Sequence, residues 1–257
     1  MIDIGINLVN KRFSLDRDKV VKRAIEVGVT KMVVTGVSVE NSQKAVELVR
    51  QYKGILYSTS GIHPHDSKSS NPQQLAIIRK LALEKEVVAV GECGLDFNRN
   101  YSPPADQEKC FKGHLEIATE IQKPLFLHER DAHKRFIEIV SDYPNLPKGV
   151  VHCFTGNTIA LKAYLNRGFY IGITGAVCNP KMSYLQEFVK YIPLDRLMVE
   201  TDGPFMLPKN MEQFPKNRRN EPAFLPYVVK MIAECMGKSE AEIAEATTKT
   251  AEGFFGI

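Results

Sequence analysis

The sequence VVAVGECGLDF, residues 87–97, contains the strongest local signal of the chain. It begins with an unbroken apolar run and then places one carboxylate, Glu92, between Gly91 and Gly94. Such a run predicts a strand over residues 87–91 that is buried on both faces, as in a parallel sheet. Glu92 stands at the C-terminal end of this strand. The glycines let the backbone turn and approach neighbouring groups closely. Because a buried carboxylate is costly without a cation, Glu92 requires either an Arg or Lys partner or a metal ion.

Strands and helices alternate along the whole chain. The predicted strands are residues 2–8, 31–36, 55–62, 87–91, 124–127, 149–151, 169–173 and 196–200, with helical periodicity after each. This alternation indicates parallel βαβ units, and eight of them in about 250 residues predict a (β/α)8 TIM barrel. An open doubly wound sheet is the alternative, but residues 5–10, GINLVN, lack its glycine-rich phosphate turn. We therefore expect one α/β domain over residues 1–257.

The composition and charge of the chain indicate a globular protein without a disulfide framework or a membrane span. With 257 residues, of which 44% are hydrophobic, the chain can bury a full core. The net charge of +4 permits a polyanionic partner without requiring one. Five cysteines without close paired spacing argue against a disulfide framework and favour reduced thiols. No stretch resembles a signal peptide or a membrane span, so we expect a cytoplasmic protein that does not bind membranes.

Histidines and carboxylates recur where the predicted strands end. In a barrel these positions converge on one mouth, where barrel enzymes place their active sites. A lone histidine there is more often structural, but several at one level form a ligand set suited to Zn²⁺, Mn²⁺, Fe or Mg²⁺. His114 and His133 fall within helical patterns, so we expect structural or surface roles for them. The residues at strand ends are His63, His65, Glu92, His128, His152 and Asp202.

Six short motifs resemble the signatures of the TatD-type metal-dependent deoxyribonucleases. They are GIHPH (61–65), GECGLDF (91–97), HERDA (128–132), HCFTG (152–156), ETDGP (200–204) and RNEP (219–222). The resemblance runs from Asp3 to Phe255. It implies a TIM barrel of the amidohydrolase-like, metal-dependent hydrolase type. It also implies 3′–5′ exonuclease action on single-stranded DNA, with RNA as a further substrate and a role in DNA repair or turnover.

The N-terminus departs from the wider family. Many members begin with Asp-x-His-x-His, whose histidines bind a metal, whereas Gly5 and Asn7 stand at those positions here. Gly5 has no side-chain ligand and Asn7 offers at best a weak carbonyl, so a filled two-metal centre is not expected. The start resembles the subgroup nearest to TatD itself. The resemblance then implies one divalent ion, Mg²⁺ or Mn²⁺ with Zn²⁺ as an alternative, bound by Glu92, His128 and His152 and by Asp202 where Asp202 is not the base.

Roles for the remaining residues follow from this hypothesis. The metal activates a bound water and polarises a phosphoryl oxygen, and Asp202 takes the proton of that water. His63 contacts the scissile phosphate or protonates the leaving oxygen, with His65 assisting. Tyr101 is one of three aromatic residues that could stack on bases, the others being Phe97 and Phe205, for which core packing fits equally well. The predicted phosphate contacts are Arg99, Arg130 and Arg219, for each of which a solvated surface position is an equal alternative.

Two other functions use the same architecture. Amidohydrolases cleave C–N bonds or lactones, but many carry a Lys on the fourth strand, where this chain has Glu92. A metal-binding or nucleic-acid-binding barrel without activity is supported by Gly5 and Asn7. The joint presence of the predicted ligands and Asp202 counts against it. We expect a monomer with DNA as its substrate.

Overall fold

The computed structural model describes residues 1–257 and contains eight strands. They form one sheet in sequential order from β1 to β8. Parallel pairing joins β1 to β2, β3 to β4, β4 to β5, β5 to β6 and β7 to β8. The predicted (β/α)8 TIM-barrel class is thereby confirmed. The strands are β1 Ile2–Ile6, β2 Lys31–Val34, β3 Leu56–Ser60, β4 Val87–Asp96, β5 Leu125–Arg130, β6 Gly149–Val151, β7 Tyr170–Ile173 and β8 Leu197–Val199.

Nine α-helices alternate with or follow these strands. Local sequence explains where several begin: Asn71 accepts a hydrogen bond from the Gln74 N–H at the start of α3, and Ser239 forms a capping box with Glu242 at the start of α9. No helix combines the length and the apolarity that crossing a bilayer requires. The helices are α1 Arg17–Glu26, α2 Val39–Val49, α3 Pro72–Ala82, α4 Pro104–Ile121, α5 His133–Ser141, α6 Thr158–Asn166, α7 Tyr184–Val189, α8 Leu225–Met236 and α9 Glu240–Phe255.

The chain divides into two compact units. The first contains Met1–Val34, Cys153–Asn157 and Ile171–Ile257, and the second contains Thr35–His152 and Thr158–Tyr170. In the first unit, the segment after β8 pairs with β1: Asp202 N–H donates to Gly5 O and Asn7 N–H donates to Gly203 O, each at 2.8 Å. The second unit contains β3 to β6, with the apolar residues of β4 buried among them. The single domain over residues 1–257 stays a prediction.

Strand β4 is longer than its sequence predicted. The prediction ended the strand at Glu92, whereas the structure continues it to Asp96, and this part of the prediction is wrong. The pairing with β5 shifts register between Gly91 and Cys93, so one extra residue is accommodated as a bulge. Gly91 has φ +141° and Gly94 has φ +146°, conformations that favour glycine. Glu92 therefore projects from a bulge inside a strand, and ladder pairing on both sides fixes its backbone.

His114 on α4 is structural, in agreement with the prediction. Its side chain is fully buried, and its Nε2 accepts the Ile62 N–H at 3.0 Å. Its Nδ1 lies 2.8 Å from Cys110 O, so the proton of the neutral ring is on Nδ1 and donates there. Burial lowers the pKa of His114 to about 4, which keeps the ring neutral. This side chain holds the segment that leads from β3 into His63.

We predict that replacing His114 by Gln changes the pH dependence of stability. The folded pKa of about 4 lies below the ordinary 6.5, so the unfolded chain binds the extra proton between these values. The contribution of His114 to the free energy of unfolding is therefore complete above pH 6.5. It falls by about 3 kcal/mol as the pH drops towards 4. Urea unfolding should show the wild type more stable than His114→Gln at pH 7.5, with the gap narrowing towards pH 4. A gap that stays constant with pH would contradict this role.

Candidate metal centre

Three imidazoles surround the Glu92 carboxylate. Its Oε1 lies 2.8 Å from His128 Nδ1, 2.8 Å from His152 Nε2 and 3.2 Å from His63 Nε2. All four residues belong to the second unit, near the carboxyl ends of β3 to β6. Burial alone raises the pKa of Glu92, but the imidazoles of His152, His63 and His128 outweigh it and hold that pKa well below its usual range. The centre of the cluster is therefore an ionised carboxylate, an anionic ligand for a cation.

The donor set fits a divalent metal ion. His63, Glu92 and His128 each offer one ligand atom, and these atoms all lie within 4.8 Å of one another. His128 Nε2 is buried without a hydrogen-bond partner, and an unsatisfied ring nitrogen of this kind is a natural ligand atom. Imidazole and carboxylate together suit first-row transition metals and Mg²⁺. The structure thus brings together the three ligands predicted in this unit, Glu92, His128 and His152, and places the His63 ring beside them.

The hydrogen bonds of His63 distinguish its role from that of the other histidines. The backbone N–H of His65 donates to His63 Nδ1 at 3.0 Å. A neutral imidazole has one donor and one acceptor, so the proton lies on Nε2, which points at Glu92. Burial lowers the pKa of His63 and favours this neutral form. While the bond to His65 persists, His63 is a hydrogen-bond donor, which agrees better with the predicted phosphate contact than with metal ligation.

Asp96 is a site residue that the sequence prediction missed. Its side chain is buried, and Oδ2 lies 2.8 Å from His65 Nε2 and 3.5 Å from His128 Nε2. Its Oδ1 accepts the backbone N–H groups of Asn98 and Arg99. Burial acts to raise the pKa of Asp96, but the rings of His128 and His65 and the Arg99 N–H lower it below its usual range. The carboxylate therefore fixes His65, faces His128 and anchors the loop that follows β4.

The signal for Asp96 was present in the sequence. In an extended strand, residues two and four apart share a face, so Asp96 lies on the same side of β4 as Glu92. The prediction lost this relation because it ended the strand at Glu92. A strand carried through to the second carboxylate would have placed both on one face.

Asp202 lies in the first unit, at the carboxyl end of β8. Its Oδ1 accepts a hydrogen bond of 2.9 Å from Asn7 Nδ2. The backbone of the preceding residue, Thr201, is hydrogen-bonded on both sides. Its N–H donates to Asp3 Oδ1 at 2.9 Å, and its carbonyl accepts a hydrogen bond from Asn220 Nδ2 at 2.8 Å. Asn7, considered in the sequence as a weak ligand, here orients the carboxylate of Asp202. The role of Asp202 as metal ligand or base stays a prediction.

Two of the predicted phosphate contacts, Arg99 and Arg130, are exposed side chains of the second unit. Arg130 is the last residue of β5 and pairs in register with Asp96. Arg99 follows the end of β4, where its N–H is bound to the same carboxylate. The backbone of both arginines is thus held at Asp96, which itself contacts His65 and His128.

Arg219, the third predicted contact, is engaged inside the first unit. Its side chain is 8% exposed and makes a two-point ion pair with Asp16, at 2.7 Å for each contact. It also lies 3.1 Å from Glu221 and stacks over the Phe13 ring. Both terminal nitrogens of Arg219, Nη1 and Nη2, donate within the protein, so its geometry favours a structural role over the predicted contact with substrate.

The structure has a (β/α)8 fold with a candidate imidazole–carboxylate metal site. Comparisons with known proteins identify the family. The family model described as TatD related DNase matches residues 2–256. This chain therefore belongs to the family of TatD-related DNases, as the sequence motifs indicated.

Relatives at higher identity agree. The chain is 44% identical to the 3′-5′ ssDNA/RNA exonuclease TatD of Salmonella typhimurium, over all of this chain and 99% of that protein. It is 46% identical to the protein of the same name from Erwinia amylovora, over 100% of both. Solved structures agree in fold: a TatD homologue of Escherichia coli K12 matches with a TM-score of 0.91 and 26% identity, over 100% of this chain and 98% of that one. A TatD family hydrolase of Entamoeba histolytica matches with a TM-score of 0.90 and 25% identity, over 99% of this chain and 97% of that one.

We predict that Gly94→Ala disrupts the backbone on which the cluster is built. A Cβ at Gly94 would lie 1.9 Å from the carbonyl oxygen of His128, at a φ of +146° that side chains rarely adopt. The free energy of unfolding in urea should fall by at least about 2 kcal/mol. The control is Gly253→Ala in α9, where an added Cβ meets nothing within 4 Å and should leave stability equal or slightly higher. Equal stabilities of both variants and the wild type would show that the close approach of β4 and β5 is dispensable.

Proposed function

We propose that this protein is a divalent-metal-dependent 3′–5′ exonuclease that hydrolyses phosphodiester bonds of single-stranded DNA and of RNA. The convergence of His63, His128 and His152 on the ionised Glu92 is the observation that carries the metal chemistry. Membership of a DNase family and relatives named 3′-5′ ssDNA/RNA exonuclease support the substrate and the polarity. The proposal includes action as a cytoplasmic monomer in DNA repair or turnover.

Glu92, His128 and His152 would hold the metal ion, which we propose to be Mg²⁺ or Mn²⁺, with Zn²⁺ as the alternative. When bound, such an ion polarises a phosphoryl oxygen and lowers the pKa of a bound water. The protein contributes one fixed anionic charge, from Glu92, and ring nitrogens whose orientation the carboxylates determine.

The other residues bind and orient the substrate or move protons. The Nε2–H of His63 donates to a non-bridging oxygen of the scissile phosphate. Asp202 takes the proton of the attacking water, and the Asn7 amide fixes the oxygen Oδ1 of that carboxylate. His65, which is held by Asp96, assists at the leaving group. Arg99 and Arg130 bind phosphates next to the scissile bond, since both side chains are exposed and their backbone is held at Asp96.

The test is hydrolysis of a single-stranded oligonucleotide labelled at either end, with Mg²⁺ or Mn²⁺ added. We expect stepwise shortening from the 3′ end that stops on chelation. Asp202→Asn removes the base and keeps the shape, so kcat should fall by about 10²- to 10⁴-fold with KM little changed. Asp142→Asn, at an exposed residue that follows the last turn of α5, is the control and should keep wild-type kinetics.

Different results would contradict different parts of the proposal. If Asp202→Asn hydrolyses DNA at the wild-type rate, Asp202 is not the base, but the proposed nuclease function is unaffected. Shortening from the 5′ end would reverse the polarity. Failure of the wild type to cut DNA or RNA with Mg²⁺, Mn²⁺ or Zn²⁺, together with hydrolysis of a dihydropyrimidine amide, would point to an amidohydrolase of small molecules.

A further inference from the structure

Tyr101 is an exposed ring beside a buried metal cluster. Its side chain is 58% exposed, and every other Phe and Tyr of the second unit is buried or partly buried. An apolar ring facing water has no folding advantage, because core burial is what stabilises such side chains. A single exposed ring next to a candidate active site is therefore better explained by a ligand than by folding.

The backbone around Tyr101 is held rigidly, so the ring is presented in a defined place. The next residue, Ser102, is fully buried: its Oγ donates to His65 O at 2.7 Å and accepts the Lys68 N–H at 3.1 Å. The Ser102 carbonyl accepts Gln107 Nε2 at 2.8 Å. On the other side, Asn100 Nδ2 donates to the Phe97 carbonyl at 2.7 Å. A preorganised ring loses little entropy on binding, which suits a stacking surface.

The ring is coupled to the cluster through histidines. The Tyr101 and His65 centroids are 4.7 Å apart with an interplanar angle of 74°, so the two rings meet edge to face. The His65 ring lies 4.2 Å from that of His63, whose Nε2 points at Glu92. Tyr101 is thus one ring removed from the side chain that we assign to the scissile phosphate. This spacing suits a nucleobase attached to a neighbouring nucleotide.

We propose that Tyr101 is a base-stacking platform that holds one unpaired nucleobase of the substrate beside the scissile phosphate. This inference rests on the proposed nuclease function and adds the cause of its preference for single strands. A base in a duplex is already stacked and paired, and must lose both before it can lie on Tyr101, whereas a single-stranded base stacks at once. Because every base has an aromatic face, the platform accepts all four bases and also RNA.

The first test compares Tyr101→Ala with Tyr101→Phe on a single-stranded oligonucleotide. Loss of the ring should raise KM roughly 5- to 150-fold, the range expected for one stacked base, with kcat unchanged. Tyr101→Phe keeps the ring and should stay within about twofold of the wild type. Methyl p-nitrophenyl phosphate, a phosphodiester without a base, should be hydrolysed equally by all three. Tyr191→Ala, at a tyrosine that is 69% exposed in the first unit, is the control for loss of an exposed ring.

The second test measures binding without catalysis. In EDTA, an oligonucleotide with 2-aminopurine near its 3′ end should lose fluorescence on binding to the wild type and to Tyr101→Phe, because stacking quenches the fluorophore. It should keep its fluorescence with Tyr101→Ala. Moving an abasic residue through the last three nucleotides should reproduce the KM defect at one position in the wild type and have no further effect there in Tyr101→Ala.

The outcomes separate this inference from the nuclease proposal. Unchanged KM and quenching in Tyr101→Ala would overturn the platform and leave the nuclease standing. If Tyr101→Ala loses methyl p-nitrophenyl phosphate hydrolysis to the same extent as oligonucleotide hydrolysis, the platform is also overturned. Tyr101 would then be needed for the folding of the site. Quenching that depends on Tyr101 in a wild type that cuts no nucleic acid would support the platform and overturn the exonuclease.

Discussion

The structure of the second unit depends on one buried anion, the carboxylate of Glu92. An isolated buried carboxylate costs far more free energy than a small domain can supply, so its surroundings must compensate the charge. Three imidazole nitrogens within 3.2 Å of one carboxylate oxygen provide that compensation. Glycines at 91 and 94 let β4 and β5 approach closely enough for the side chains to meet. The candidate metal site is therefore a consequence of how the strands pack.

A second carboxylate extends this arrangement from the core to the surface. Asp96 bonds His65, faces His128 and accepts two N–H groups of the loop after β4. That loop carries Arg99 and the exposed ring of Tyr101, and Ser102 ties it back to His65. Close polar contacts and hydrogen bonds of Asp96 thus connect His128 with the loop whose side chains we assign to substrate binding. In the function that we propose, the phosphate contacts and the stacked base therefore share Asp96 as an anchor, which limits the freedom of each relative to the other.

The strand order and the convergence of the polar residues that follow the strands can be predicted from the sequence, because both depend on local patterns. The alternation of apolar runs and helical periods gave the strand order, and the placement of polar residues after those runs brought His63, Glu92, His128 and His152 together. The continuation of β4 past Glu92 was missed because two glycines and a carboxylate normally end a strand, and here they form a bulge.

Long-range pairings could not be read from the sequence. Arg219 is predicted to contact phosphate, whereas the structure pairs it with Asp16, 203 positions away, and no local sequence pattern indicates that ion pair. Asn7 orients Asp202 across 195 positions for the same reason. The tautomer of His63 depends on a backbone N–H two residues away, and only three-dimensional geometry shows which ring nitrogen that N–H meets.

The most direct measurement is calorimetric titration of Mn²⁺ into the wild type and into Glu92→Gln, which removes the charge and keeps the shape. Glu116→Gln, at an exposed carboxylate of α4, is the control. If the buried carboxylate is the centre of the metal site, the wild type and the control bind one ion with equal affinity. Glu92→Gln then binds Mn²⁺ at least about 10- to 100-fold more weakly. Equal Mn²⁺ affinity in the folded Glu92→Gln variant would contradict the account, because the ion would then be bound elsewhere.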